Sequence, residues 1–381
     1  MKAKYLVVLL AGFLALTISS EQLTAQIDLN FIGAGARARG MGGAFIGGAD
    51  DATAASWNPA GLVYLQKPEA SVTYVYSSVY QSIDNEAVED LGLSHGYLNF
   101  VSAAFPLSIG QRNVVGCIAY QRVIDLFDKQ EGYDSGYSYT QSQKGGVDAI
   151  SPSLGIQIAP NFSLGLTFNL YVGNTTTKWE YEGMGETYEA PKEKYSGSNL
   201  TMGGMFDFGK FRIGAIYKSP YNLKAERDAD NIFDAYEYEW QMPAMFGFGL
   251  SFEPTPKLRI AADYEIRKFS EFKIKLDDYY DYELDWLDVN QIRLGAEYLI
   301  MSGSTVIPLR IGLKTEPRPY EDANGDQVTG AALTMGIGLA SHSFSLGATL
   351  EYSALTMKYA GIEVTDSQVN FILSGIFYFG K

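Results

Sequence analysis

The strongest constraint on this chain is an alternation of apolar and polar side chains with a period of two residues. In LRIAADYEIR (258–267), the apolar side chains share one face of an extended chain, and Arg259, Asp263, Glu265 and Arg267 share the other. A helix would scatter both sets around its axis, whereas a strand separates them. Charged side chains on the second face exclude a sandwich core there. The pattern predicts strands with lipid on one side and a polar lumen on the other.

Two uncharged stretches are long enough to be considered as membrane-spanning helices. Residues 149–177 and 328–350 contain no Asp, Glu, Lys or Arg, and each could cross a bilayer as a helix. The first contains Pro152 and Pro160, and both alternate with period two. We therefore interpret both as strands and reject transmembrane helices.

Fourteen segments carry a strand pattern, which predicts an all-β, fourteen-stranded antiparallel transmembrane β-barrel. Short and long connections alternate, so the termini lie on the short-turn, periplasmic side and the long loops lie outside. The strand centres fall near residues 74, 101, 117, 153, 166, 202, 215, 246, 262, 294, 310, 334, 349 and 374. The predicted short turns are 108–111, 159–161, 209–210, 254–257, 301–303 and 341–343. The predicted long connections, rich in Asp and Glu, are 79–94, 125–146, 173–197, 219–241, 270–287, 316–327 and 353–366.

The first 25 residues have the features of a secretory signal peptide. Lys2 and Lys4 precede an apolar run over 6–18, and a small residue, Ala25, can end the cleavage site. The predicted location is the outer membrane of a Gram-negative-type bacterium. The net charge of −15 argues against a nucleic-acid partner. With one cysteine, Cys117, the chain can form no internal disulfide.

The segment GMGGAFIGGADDATAASWNPAGL (40–62) precedes the first predicted strand and resembles the N-terminal segment of FadL-type outer-membrane transporters of long-chain fatty acids. That family shows a Gly-rich run, a short helix containing Asp-Asp-Ala, and an Asn-Pro-Ala triplet. The resemblance implies a fourteen-stranded barrel with a plug, the hatch, folded inside it. We accordingly divide the chain into a signal peptide (1–25), a hatch (26–66) and a barrel (67–381).

Physical chemistry suggests roles for the hatch residues. Asp50 or Asp51 can cap a short helix over about 52–56, and Pro59 then ends that helix. Asn58 can hydrogen-bond to freed backbone groups or to the barrel wall. Arginines inside a barrel need partners, which Glu265 and Glu297 could supply. The candidate hatch residues are Arg37, Arg39, Asp50, Asp51, Asn58, Pro59 and Ala60.

The third predicted strand, NVVGCIAY (113–120), is apolar on both faces. In the FadL-type family this strand kinks inward and opens a lateral gate, so the resemblance implies a pocket or gate at Val114, Gly116, Cys117 and Ile118. Gly116 could absorb the kink. The alternative is a wall strand that packs against the Ala-rich hatch.

A fatty-acid carboxylate would require a basic partner on the lumen face. The candidates are Arg267, Arg293, Arg310 and Lys314; the alternative is that they neutralise Glu265, Glu297 and other acids. None is carried over from the family's ligand residues.

We expect no enzyme activity, cofactor or metal site. The histidines, His95 and His342, have no Gly-x-Ser-x-Gly partner. The predicted function is an uptake channel for hydrophobic molecules, most simply long-chain fatty acids, by passive diffusion. The alternative is a barrel for secretion or surface attachment without transport, as in PorV-type proteins. Expected partners are outer-membrane lipid, lipopolysaccharide and the hydrophobic substrate, with the protein a monomer.

Overall fold

The computed structural model of the protein describes residues 33–83, 86–87, 93–134, 137–183, 185–276, 280–359 and 362–380. The predicted signal peptide and the predicted start of the hatch therefore lie outside the described residues.

Fourteen long strands form a closed antiparallel barrel, as the alternation predicts. Each predicted strand centre falls within its strand. The first strand closes the barrel by pairing with the last, from Glu69 opposite Tyr378 to Ile83 opposite Val364. The strands are β1 (Glu69–Ile83), β2 (Leu93–Ile109), β3 (Arg112–Asp125), β4 (Tyr137–Ala159), β5 (Phe162–Tyr181), β6 (Glu193–Asp207), β7 (Phe211–Lys218), β8 (Met245–Thr255), β9 (Leu258–Arg267), β10 (Val289–Ser302), β11 (Thr305–Glu321), β12 (Gln327–Ala340), β13 (Phe344–Tyr359) and β14 (Ile362–Tyr378).

The two faces of the strands separate as predicted. On β9 and β10, Ile260 and Leu294 are exposed by 46% and 49%, whereas Asp263 and Arg293 are exposed by 3% and 1%. Apolar side chains therefore form the outer surface, and charged side chains lie in the lumen. This arrangement is the one that suits lipid outside a barrel.

The predicted short turns are confirmed, but the long connections are more ordered than expected. β4 begins at Tyr137 and β5 continues to Tyr181, both well inside stretches interpreted as loops. Strands can pair beyond the apolar band because the backbone supplies their hydrogen bonds whatever the side chains are. Shorter strands extend the sheet at this loop end: Glu86–Ala87, Asp128–Asp134, Thr187–Glu189, Tyr221–Arg227, Tyr236–Met242, Lys273–Leu276 and Tyr280–Glu283.

Helical structure is brief. In the hatch, α1 (Ala36–Gly40) and α2 (Ala54–Trp57) are followed by a 3₁₀ helix (Pro59–Tyr64), and a second 3₁₀ turn covers Phe269–Glu271. None of the helices in the described part of the chain has the length and apolarity to cross a membrane.

Candidate functional site

The hatch occupies the barrel interior and forms a common core with the wall. Trp57 and Leu62 of the hatch are buried together with Phe100 of β2 and with Val115 and Cys117 of β3. The inward face of the third strand is therefore apolar because it contacts the hatch, which is the alternative interpretation offered by the sequence.

Glycines in the wall allow the hatch backbone to come very close. A β-carbon on Gly312 would lie 2.0 Å from the backbone nitrogen of Gly42, and one on Gly165 would lie 2.1 Å from the carbonyl carbon of Pro59. A β-carbon on Gly214 would lie 2.3 Å from a hatch carbonyl oxygen. Any side chain at these positions would displace the hatch, so these wall glycines are part of its docking surface.

The Asn58-Pro59-Ala60 triplet ties the hatch to itself and to the wall. The Asn58 side-chain oxygen accepts the Ala60 N–H at 3.1 Å, and its nitrogen donates to the carbonyls of Ile46 and Gly204 at 2.9 and 3.2 Å. Pro59 follows the end of α2 and also begins the 3₁₀ helix, where a missing N–H costs nothing. The role predicted for Asn58 agrees with these bonds.

The two hatch arginines have acidic partners on the wall, but only one of these is an acid that the sequence had suggested. Arg37 lies 3.2 Å from Glu297 and 2.6 Å from Asp50. Arg39 pairs with Glu351 on β13, an acid that the sequence did not name as a partner. Glu351 occupies an inward position in an alternating strand, and this was the signal available for finding it.

Asp50 is the centre of an ionic network rather than a helix cap. Its carboxylate lies 2.6 Å from Arg37, 3.3 Å from Arg212 and 3.0 Å from Arg259. Burial alone would raise the pKa of Asp50, but the three guanidinium groups outweigh burial and hold that pKa well below its usual range. The neighbouring Asp51 accepts the Thr53 N–H at 2.9 Å, just before α2.

The four candidate ligand cations are buried and paired with wall carboxylates. Arg267 and Arg293 both contact Glu265, the latter at 3.0 Å. Arg310 lies 2.7 Å from Glu297. Lys314 lies 2.9 Å from Glu316 and 3.5 Å from Glu351. This geometry fits the alternative interpretation, in which these cations neutralise lumen acids.

The candidate gate residues do not form one site. Cys117 faces the hatch, whereas Ile118 is 49% exposed on the outer face and a β-carbon on Gly116 would meet no atom within 4 Å. Val114 shares the outward parity of Gly116. β3 pairs with β2 without interruption over 112–121, and with β4 over 114–122. The strand is therefore paired with both neighbours along the whole of the predicted gate, and its ladder shows no break there.

An aromatic cluster lies inside the loop end of the barrel, on the other side of the hatch from the turns. Tyr171 on β5 and Tyr195 on β6 are buried there against Leu223 and Tyr238 from the short strands. Sequence reasoning missed this cluster, although Tyr171 follows Asn169 on the inward face of β5. The lumen therefore has a second apolar cluster at the loop end, separate from the one that joins the hatch to β2 and β3.

A cavity of about 490 Å³ lies on the turn side of the hatch. Arg37, Asp50, Arg259 and Arg310 contribute to its lining, together with turn residues such as Lys257. We call this space the vestibule. Within the described ranges, no group of three or more His, Cys, Asp or Glu side chains is placed to hold a metal ion.

A closed fourteen-stranded barrel with an N-terminal hatch docked in its lumen has the FadL-type barrel fold. The chain belongs to the BamG family, whose model matches residues 28–355. A search of curated proteins gave no match.

Solved structures share this fold at low sequence identity. A Pseudomonas aeruginosa FadL homologue matches with a TM-score of 0.65 and 14% identity, covering 94% of this chain and 99% of that one. The toluene transporter TbuX of Ralstonia pickettii matches at 0.64 and 17%, covering 92% and 100%. The toluene transporter TodX of Pseudomonas putida matches at 0.65 and 12%, also covering 92% and 100%. TbuX and TodX are transporters rather than enzymes.

Proposed function

We propose that this protein is an outer-membrane channel for the uptake of hydrophobic molecules, most simply long-chain fatty acids. The aromatic cluster inside the loop end carries the proposal. Buried Tyr171, Leu223 and Tyr238 provide an apolar environment at the external entrance of the lumen, where a simple polar pore would place hydrophilic groups. The toluene transporters with the same fold support this choice of substrate class.

Passage through the barrel requires a movement. β3 is paired with both neighbouring strands along the candidate gate, and the hatch packs against its inward face. A substrate in the aromatic cluster therefore leaves only when the wall at β3 opens or when the hatch shifts. Passive diffusion gated by such a movement is the proposed mechanism.

The test is uptake of labelled oleate, and separately of labelled toluene, by cells that lack their own transporter, with surface expression measured. Leu223→Asn places a polar group in the apolar cluster and should reduce uptake by about tenfold. The control Leu223→Met keeps the side chain apolar and close in volume, so its uptake should resemble wild type. If wild type carries neither compound, the transport proposal fails.

The closed wall favours a second candidate, a barrel that serves secretion or surface attachment and transports nothing. A docked hatch and an unbroken third strand are the features expected when the barrel is a fixed scaffold. Deleting the gene would then remove particular proteins from the cell surface and leave oleate and toluene uptake unchanged.

A further inference from the structure

Two arginines that line the vestibule have spare hydrogen-bond donors. Nη1 of Arg259 and Nη1 of Arg310 are buried and have no acceptor among the described residues. Lys67 and Lys257 lie nearer the turns, and neither forms an ion pair with any residue that the structure describes. A buried donor without an acceptor costs about 1–3 kcal/mol, so an incoming acceptor at the two arginines would recover free energy.

The carboxylates of the vestibule are already engaged, so they offer little to a cation. Asp50 and Glu253 form ion pairs with Arg259, and Glu297 forms one with Arg310. Asp51 and Glu69 accept backbone N–H groups of the hatch. The unused capacity of the site therefore favours an anion.

An aliphatic wall lies directly beside these cations. In the register of β10 and β11, Glu297 is opposite Arg310, and the next inward-facing pair toward the turns is Leu299 opposite Pro308. Val306 is paired in turn with Ala340 of β12. All of these side chains line the vestibule. The site thus combines a cationic inner end with an apolar wall that runs toward the turns.

We propose that the vestibule binds a carboxylate-bearing aliphatic molecule. Its carboxylate accepts hydrogen bonds from Arg310 and Arg259, and its chain lies along Leu299, Val306 and Ala340. The volume, about 490 Å³, falls within the range of small-molecule sites. The inference rests on the proposed uptake function, in which a substrate that has passed the hatch would bind in the vestibule before it leaves the barrel.

The test is photolabelling of the full-length protein in lipid nanodiscs by dodecanoate that carries a terminal diazirine, with labelled peptides mapped by mass spectrometry. Label should fall on β10, β11 and β12 near the turns. Unmodified dodecanoate should compete about tenfold better than dodecanol, because only the acid offers a charged acceptor.

Two pairs of variants locate the site. Ala340→Trp fills the vestibule and should lower labelling by about tenfold, whereas Leu339→Trp, on the outer face of the same strand, should not. Lys257→Glu repels the anion at the mouth and should lower labelling by about fivefold, whereas Lys210→Glu in another turn should not.

Three outcomes would overturn the proposal: label confined to the outer face or the aromatic cluster, equal competition by the alcohol, or full labelling of folded Ala340→Trp. Oleate uptake measured on the same variants separates the two proposals. Uptake without vestibule labelling leaves the channel function standing and removes this site. Vestibule labelling without wild-type uptake leaves this binding site standing and removes the channel function.

Discussion

Gly312 of the barrel wall and Gly42 of the hatch are in contact so close that a β-carbon on Gly312 would lie 2.0 Å from the Gly42 nitrogen. Thr334 of the wall also binds Gly42, since its hydroxyl accepts the Gly42 N–H at 3.0 Å. Gly42 itself has a φ of 66°, a conformation that favours glycine. The hatch is therefore positioned by backbone contacts with the wall and not only by side-chain packing.

The substitution Gly312→Leu should undock the hatch while the barrel still inserts. The leucine side chain cannot share this space, so we expect a loss of about 3 kcal/mol and a higher conductance in planar bilayers. Gly204→Val is the control, because a β-carbon there has only ordinary contacts, the nearest at 3.7 Å. Unchanged conductance and stability in Gly312→Leu would show that the hatch does not depend on this contact.

Part of this architecture was readable from the sequence, for a physical reason. Lipid and lumen impose opposite polarity on successive residues, so strands such as β9 show their number and orientation directly. The extensions of β4 and β5 beyond the apolar band lack this contrast, and the sequence therefore indicated loops. A strand between lipid and a packed hatch, such as β3, is apolar on both faces. A strand that lines a hydrophobic lateral gate would show the same pattern, so the sequence alone could not separate the two.

Contacts that join distant segments were less predictable. Asn58 was assigned a hydrogen-bonding role because Asn before Pro has few helical options. The pairing of Arg39 with Glu351 depends on which part of the hatch lies beside β13 in the folded barrel, and no local sequence pattern encodes that position. The same holds for Gly312, since a glycine in a strand does not reveal what approaches it.

The substitution Asp50→Asn should weaken hatch docking in a pH-dependent manner. A neutral amide at position 50 cannot balance the guanidinium groups of Arg37, Arg212 and Arg259, so we expect a loss of about 3 kcal/mol at neutral pH. Because the pKa of Asp50 is depressed in the folded protein, its contribution is complete above the ordinary Asp pKa of about 3.9 and is lost as pH falls below it.

The measurement is the temperature of the gel-mobility shift of wild type and Asp50→Asn between pH 7 and pH 2. The difference between the two proteins should stay constant down to about pH 4 and shrink below it. Thr255→Ala, at the same end of the barrel and outside the network, is the control. A difference that shrinks between pH 7 and pH 5 would contradict the network described for Asp50.

Cys117 should react slowly with a maleimide in the folded protein. Its side chain is buried between β3 and the hatch cluster that contains Trp57 and Leu62, so the reagent has no approach to the sulfur. Deleting residues 26–65 should expose Cys117 to the lumen and accelerate alkylation by about a hundredfold. Mass spectrometry of the intact protein follows the reaction, with the unfolded protein as the reference for full reactivity.

Gly116 provides the comparison on the other face of the same strand. Gly116→Cys in a Cys117→Ser background should react with a membrane-soluble maleimide whether or not the hatch is present, since this position faces outward with open space around it. Equal, fast alkylation of Cys117 with and without the hatch would mean that the hatch does not cover β3.

The substitution Arg293→Met should cost stability without changing the apparent KM for oleate uptake. Arg293 is 1% exposed, and its Nη1 lies 3.0 Å from Glu265, so its removal leaves a buried carboxylate with Arg267 as its remaining partner. Breaking one side of a buried ionic cluster costs about 3 kcal/mol, which unfolding of the barrel in urea would measure. Glu265→Gln combined with Arg293→Met should lose further stability, because the double variant also breaks the ion pair between Glu265 and Arg267. A KM raised about tenfold with unchanged stability would instead make Arg293 a partner of the substrate carboxylate, which is the other of the two roles that the sequence left open.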